Sequence, residues 1–459
     1  MTVLSLPHDV HALLETLHHA LRPRWEALDP GGQPAPPPPP DYRAAPVPDD
    51  LRGRRVELIV EASDLEALEV ALNSGADAVV LDFDDTFAPT RANVERGYRA
   101  LRMAAAGTRP LLVRPRALYA VEEHLTFGGP AIAALCDLGA ALAARPAQPM
   151  HVYIPKLETV EEAQVWDDAL TLAEHHLGLP HNAVRVCLQI ETYAGALHAD
   201  ALLYALRGRA FGLNAGRWDY VFSLTKRVGP GRGAMPPRSD LTMDVEAMRA
   251  YAETLVRVCQ RRGAQAIGGS AAVAPDPANP QPALDAVCAD KRREAAQGFS
   301  AAWAGLPELL DAVREGFSGE APPPLPEEPA PETHRRLLAL PGPRPLALTT
   351  VQDTIGLALE VFGAWYTGRG VVVRGGRIED TATAELARAQ LWQWVGCGAE
   401  LEGGGRLTPE RYLSERRTLT DDLTPSARLL DHLVLSHTCP EYFPRAAQLL
   451  QTASQEAPV

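Results

Sequence analysis

Between Leu51 and Trp303 one pattern recurs: a short apolar, β-branched run, an amphipathic stretch of helical period, then another such run. The β-rich runs are Val56–Val60, Ala78–Phe83, Leu111–Arg114, His151–Pro155, Val184–Ile190, Ala210–Asn214, Ala264–Gly268 and Phe299–Trp303. Between them lie helical segments such as Asp64–Ser74, Val160–His176 and Val245–Arg262. Strands joined through helices pair in parallel, because a hairpin cannot reverse the chain over such a connection. Eight alternations over about 270 residues predict a (β/α)8 TIM barrel rather than an open sheet. At strand six the pattern leaves two candidates, the GLN run at 212–214 and the DYVFS run at 219–223.

A parallel barrel collects its functional side chains at the C-terminal strand ends. The second run ends in LDFDD (Asp82, Asp84, Asp85), and the third in LLVRPR (Arg114, Arg116). The fourth ends in YIPKLE (Lys156, Glu158), and the fifth in QIET (Glu191). Solvated loop charge explains any one of these, but not the recurrence at the same end. Acids gathered near an arginine suit metal-assisted chemistry on an anionic carbonyl compound. Asp219 follows Glu191 by 28 residues, room for one helix and the return to the next strand. Both carboxylates can therefore reach one rim, where two hard oxygen ligands suit a Mg²⁺ with positions left for substrate. Lys156 ends a barrel strand, as a Schiff-base lysine would, yet beside Glu158 it reads as a salt-bridged support.

The flanks differ in composition. Residues 8–28 carry Val10, Leu13, Leu14, Leu17 and Leu21 at helical spacing, with His8, His11, His18 and His19 expected on a solvated face. Proline-dense stretches cannot donate to a ladder or build a core, so they mark boundaries. The expected organisation is an N-terminal helical segment 1–33, a proline-rich linker 34–50, a barrel 51–318, a second linker 319–340 and a C-terminal helical domain 341–459. Helices are expected there at Thr349–Phe362, Thr381–Val395, Pro409–Arg417 and Pro425–Leu435. Asp380, before Thr381 and Thr383, reads locally as a helix cap. Trp392 and Trp394 cannot share one helix face, so at least one packs. The run Gly229–Gly233 has neither dinucleotide nor P-loop spacing and reads as a mobile loop.

A net charge of −14 argues against non-specific nucleic-acid or anionic-membrane partners. Six scattered cysteines without a CxxC pair read as free thiols. No apolar run approaches the ~20 residues of a membrane span. The N-terminus shows no secretory signal, and the terminal QEAPV is not a peroxisomal tripeptide. A cytoplasmic setting is expected.

The stretches APVPDDLRGRRVE, ALNSGADAVVLDFDDTFAPTRANV, LLVRPRAL, YIPKLET, QIETYAGAL, GLNAGRWDYVFS, RAYAETLVRVCQRRGAQAIGG and IEDTATAELARAQLWQW span most of Ala45 to Trp394. In them the chain resembles the malate synthases of the shorter bacterial and plant type. The resemblance implies a Claisen-type condensation of acetyl-CoA with glyoxylate, then hydrolysis to malate and CoA, a step of the glyoxylate cycle that requires Mg²⁺. Glu191 and Asp219 fall on the family's metal ligands, Arg114 on the arginine that steadies enolate and glyoxylate oxygens, and Asp380 on the catalytic base. The backbone from Gly216 through Trp218 to Asp219 would hold the glyoxylate carboxylate, and Asp82 and Asp84 would support water around the ion. Pro275, closing GGSAAVAP, falls on the acetyl-CoA side. The family's usual DFED stands here as DFDD, GTWVAHP as SAAWAGLP, and GGMAAQIP as GGSAAVAP. Two other functions share these residues: a barrel lyase for malyl- or citramalyl-CoA-like thioesters, and an inactive CoA- or dicarboxylate-binding regulator.

Overall fold

The computed structural model describes residues 6–29, 35–105, 107–144 and 149–456. Pro34, where the first linker is expected to begin, lies outside the described residues. So do residues 1–5 and 457–459, on which the terminal-signal expectations fall.

The strands are β1 Val56–Glu61, β2 Ala78–Asp82, β3 Leu111–Arg114, β4 Val121–Thr126, β5 Pro130–Ile132, β6 Met150–Ile154, β7 Val184–Ile190, β8 Ala210–Ala215, β9 Gln265–Ile267 and β10 Ala302–Ala304. The first nine helices are α1 His8–Glu26, α2 Leu65–Leu72, α3 Arg91–Ala105, α4 Ala133–Ala144, α5 Val160–His176, α6 Tyr193–Ala205, α7 Arg217–Val228, α8 Glu246–Arg262 and α9 Gln281–Gln297. They are followed by α10 Leu310–Gly316, α11 Ala330–Leu337, α12 Leu348–Tyr366, α13 Thr381–Cys397, α14 Pro409–Arg417, α15 Pro425–Val434 and α16 Phe443–Glu456.

Eight strands form one parallel sheet in the order β10-β1-β2-β3-β6-β7-β8-β9. A parallel bridge between Ile267 and Ala301 joins its two ends, with Gly268 N–H donating to the Ala301 carbonyl at 2.7 Å. The expected TIM barrel is therefore present. Strand six is Ala210–Ala215, and DYVFS lies inside α7. Its aromatic and β-branched residues suit either state, but Tyr220, Val221, Phe222 and Leu224 are all buried, as a helix packed on more than one side allows. The hairpin β4–β5 was not legible as strand; it turns at Gly128 and Gly129, whose φ values of 68° and 159° exclude most other residues. Inside the barrel Ala78, Val80, Leu112, Tyr153, Cys187, Phe211, Ile267 and Trp303 pack together.

The chain forms two compact units. One comprises the chain up to Gly216, Ala252–Glu328 and Gly375–Ile378; the other comprises Arg217–Tyr251, Pro329–Arg374 and the chain from Glu379 onward. In the first, α1 packs on α4 and α5 and buries Val10, Leu13, Leu14, Leu17 and Leu21, as their spacing predicts. His18 departs from the solvated face expected of it. It is fully buried, stacks on Phe127, contacts the Leu14 carbonyl through Nδ1 at 2.7 Å, and takes the Ile132 N–H on Nε2 at 2.8 Å. A carbonyl one turn back in α1 and an amide of β5 supply a partner for each ring nitrogen, and the helical period of α1 could not reveal the second.

In the second unit α13 packs on α7, α12 and α15. Residues 330–337, within the stretch expected as a linker, form α11. The six cysteines are free thiols. Among the described residues no helix is long and apolar enough to cross a membrane.

Candidate active site

At the C-terminal end of the barrel, sheet register sets Asp82 of β2 beside Arg114 of β3. Arg114 grips Asp82 through two bonds, Nε to Oδ1 at 2.5 Å and Nη2 to Oδ2 at 2.6 Å. Its Nη1 donates to Asp85 Oδ2 at 2.8 Å and to Gln189 Oε1 at 3.1 Å. These four bonds leave one guanidinium N–H, on Nη2, for another oxygen. Asp82 also accepts from the Asp84 and Thr86 amides and from the Thr86 hydroxyl. The Trp303 ring underlies the guanidinium at 5.2 Å, and its indole N–H donates to Glu57 Oε2 at 2.9 Å. Arg114 is thus held in plane from three sides and stays charged.

Lys156 follows β6 and crosses to the acids of β2. Its ammonium lies 2.7 Å from both Asp84 Oδ2 and Asp85 Oδ1, and its N–H donates to Glu191 Oε1 at 3.0 Å. The Ala117 amide donates to the other Asp84 oxygen at 3.1 Å. Burial raises Asp84 above the ordinary carboxylate range against the pull of Lys156. Burial also works to raise Asp85, but Lys156 and Arg114 together hold it below that range. Burial pushes Glu191 up to about 8, opposed chiefly by Lys156. Its Oε2 is buried with no hydrogen-bond partner among the described residues. Such an atom is costly unless a cation or donor meets it, so Glu191 fits a metal ligand.

Gly216, directly after β8, is fitted to this carboxylate. A Cβ there would stand 2.3 Å from Glu191 Oε2 and 3.0 Å from Gln189 Nε2. Pro275 lies on the loop after β9, where Ala274 N–H donates to the Gly376 carbonyl at 2.9 Å and Val273 bridges Arg377. Asp85, Glu191 and Asp219 are buried carboxylates, each able to offer an oxygen to a metal ion.

In the second unit, α7 opens one residue after Gly216, with Trp218 and Asp219 in its first turn. Trp218 lies between the guanidinium groups of Arg217 and Arg238, at 4.4 and 4.3 Å. Arg238 also donates to Glu379 Oε2 at 2.7 Å, beside Asp380. Asp380 caps α13: its Oδ1 accepts the Thr383 N–H at 3.2 Å, while its own N–H donates to Thr383 Oγ1 at 2.9 Å. Gln393 donates to the carbonyls of Gly229 and Gly233, and Trp394 to that of Met235, so α13 holds the glycine-rich loop expected to be mobile.

The first unit thus brings Arg114, Asp82, Asp84, Glu191 and Gly216 to one rim; the second carries Trp218, Asp219 and Asp380 on α7 and at the start of α13. Sequence reading missed Gln189, although it stands two positions before Glu191 and so shares its side of the strand. It also missed Glu61 at the end of β1, raised to about 7 by burial despite the Ser63 hydroxyl.

A closed parallel barrel with a buttressed arginine and buried acids at its C-terminal rim defines a TIM-barrel enzyme whose acidic cluster could hold a metal ion. Two family models match, "Malate synthase, TIM barrel domain" over residues 110–325 and "Malate synthase, C-terminal" over residues 348–423. The malate synthase of Streptomyces clavuligerus is 39% identical over 80% of this chain and 75% of its own length. That of Myxococcus xanthus is 36% identical over 80% and 74%, and that of Oryza sativa 35% over 80% and 73%. A solved Haloferax volcanii malate synthase, in a pyruvate/acetyl-CoA ternary complex, matches with a TM-score of 0.51 at 16% identity, over 74% of this chain and 90% of that one. It shows the fold alone. The chain belongs to the malate synthase family, and its reaction is the condensation of acetyl-CoA with glyoxylate to malate.

Proposed function

We propose that Glu191 and Asp219 hold a Mg²⁺ ion, that Arg114 steadies the oxygen anion formed in condensation, and that Asp380 is the base. The bound ion would supply electrophilic activation of the glyoxylate aldehyde. Asp380 would take a proton from the acetyl methyl group, whose electron pair then forms the new carbon–carbon bond to the aldehyde carbon. Hydrolysis of the thioester releases CoA and malate. A methyl proton beside a thioester is weakly acidic, so its removal needs both a placed carboxylate and a donor for the oxyanion. The N–H that remains on Arg114 Nη2 is suited to that oxygen. Asp82 acts through Arg114, and Asp84 through Lys156. The amides from Gly216 to Asp219 would receive the glyoxylate carboxylate, and Pro275 would line the acetyl-CoA side. The base then comes from the C-terminal helical domain, expected at 341–459, and Glu191 from the barrel. A cytoplasmic setting fits the six free cysteines.

The observations that carry this reading are the buried Oε2 of Glu191, without a hydrogen-bond partner among the described residues, and a guanidinium on Arg114 with one donor left. Thiol release from acetyl-CoA, dependent on both glyoxylate and Mg²⁺ and lost in Glu191→Gln, is the expected result. Cleavage of malyl-CoA to acetyl-CoA without net condensation would assign a lyase instead. Full turnover by Glu191→Gln would remove it from the metal site.

A further inference from the structure

Among the described residues, Lys156 is the one non-glycine residue at this rim whose backbone lies in the left-handed region, with φ of 57°. That conformation is disfavoured for any residue with a Cβ and persists where surrounding contacts over-determine it. Here the contacts are electrostatic. The backbone N–H reaches Glu191 Oε1 at 3.0 Å, and the side chain turns to place its ammonium 2.7 Å from Asp84 Oδ2 and from Asp85 Oδ1. The same ammonium lies 3.7 Å from Glu191 Oε1, and the side chain is 1% exposed. One lysine therefore ties the acids that end β2 to the acid that ends β7. In the barrel unit, Asp82, Asp84, Asp85 and Glu191 face Arg114 and Lys156, four formal negative charges against two positive ones.

We propose that Lys156 is the site's own counter-cation: it holds Asp84, Asp85 and Glu191 together before the divalent ion arrives and, by repelling that ion, lowers its affinity. Resting on the metal reading above, this adds a residue that regulates the metal. Coulomb's law sets the direction, because a fixed positive charge within a few ångströms of a buried cation site opposes a second cation. Asp84, Asp85 and Glu191 together keep the buried ammonium among them. Lys156 acts on catalysis only through the carboxylates, as a positioning residue.

The test is Mn²⁺ binding to the full-length chain without substrate, by titration calorimetry and by the electron-spin signal of free Mn²⁺, with thermal melts in chelator and in saturating Mg²⁺. Lys156→Met should bind Mn²⁺ about tenfold more tightly or better. Its chelator melt should fall below wild type and its Mg²⁺-induced rise should exceed the wild-type rise, since an ion that binds only the folded state stabilises it in proportion to occupancy. Lys156→Arg, which keeps the charge, should stay within about threefold of wild-type affinity. Unchanged or weaker Mn²⁺ binding by Lys156→Met overturns the proposal while leaving the metal site standing. A Lys156→Met chain that remains unfolded in saturating Mg²⁺ overturns it too, because the divalent ion would then not substitute for the ammonium. Absence of Mn²⁺ binding by wild type would instead overturn the metal reading itself.

Discussion

Arg114 and Asp82 end adjacent parallel strands in register and share two nearly parallel bonds of 2.5 and 2.6 Å, both side chains buried. A buried fork of this kind is strongly destabilised when one partner loses its charge. Asp82→Asn should cost about 3 kcal/mol in urea unfolding and lower kcat as Arg114 loses its plane. Arg114→Lys keeps the charge without the fork. We expect kcat to fall about 10²-fold or more, with a smaller loss in the melt than for Asp82→Asn. Equal kcat in Arg114→Lys and wild type would show that orientation of the donor is irrelevant.

Gly216→Ala would bring a methyl group to 2.3 Å from Glu191 Oε2 and 2.7 Å from Glu191 Cβ. The clash displaces the carboxylate more readily than the β8 backbone, because the side chain is the softer partner. Mn²⁺ affinity and kcat should both drop by about tenfold or more, while stability losses stay in the ~1–3 kcal/mol range of overpacking. Circular dichroism and calorimetry on the same samples separate the two effects; wild-type metal affinity would contradict this fit.

Asp380→Asn keeps an oxygen to accept the Thr383 N–H and so preserves the cap of α13. It removes only the basicity. Condensation should slow by about 10²- to 10⁴-fold, acetyl-CoA binding should change little, and exchange of acetyl methyl hydrogens with deuterated solvent should disappear. Normal condensation by this variant would leave Asp380 as a cap alone.

His18 predicts a pH dependence of stability. Burial lowers its pKa from 6.5 to about 4, outweighing the hydrogen bonds at Leu14 and Ile132. The folded state therefore favours the neutral ring, whose stabilisation is whole above pH 6.5 and declines as pH falls toward about 4. The loss is on the order of 3 kcal/mol at most. Melts of wild type and His18→Gln should differ most near neutral pH and converge near pH 4. A constant difference across that range would contradict a neutral, buried His18.

Most strand positions were legible because parallel barrel strands are apolar on both faces and end where polarity returns. Glu191, Arg114 and the LDFDD acids could be placed at strand ends for that reason alone. The choice between GLN and DYVFS was not legible locally: β-branched and aromatic residues serve a buried helix as well as a strand, and only packing separates them. The hairpin β4–β5 was missed because three- and six-residue strands with mixed burial leave little alternation to read.

Local chemistry determined the order of strands and helices, the cap at Asp380, and the set of ionisable residues that a barrel would bring to its C-terminal rim. These follow from periodicity and chain connectivity, which act over a few residues at a time. Tertiary structure decided the partnerships. Arg114 spends four donors on Asp82, Asp85 and Gln189, Lys156 turns left-handed to bind acids from two strands, and Glu191 keeps one oxygen buried without a hydrogen bond. Which charges meet depends on strand register and on side chains that converge from 71 to 75 positions apart in the chain. Long-range distances of that kind exist only once the barrel has closed.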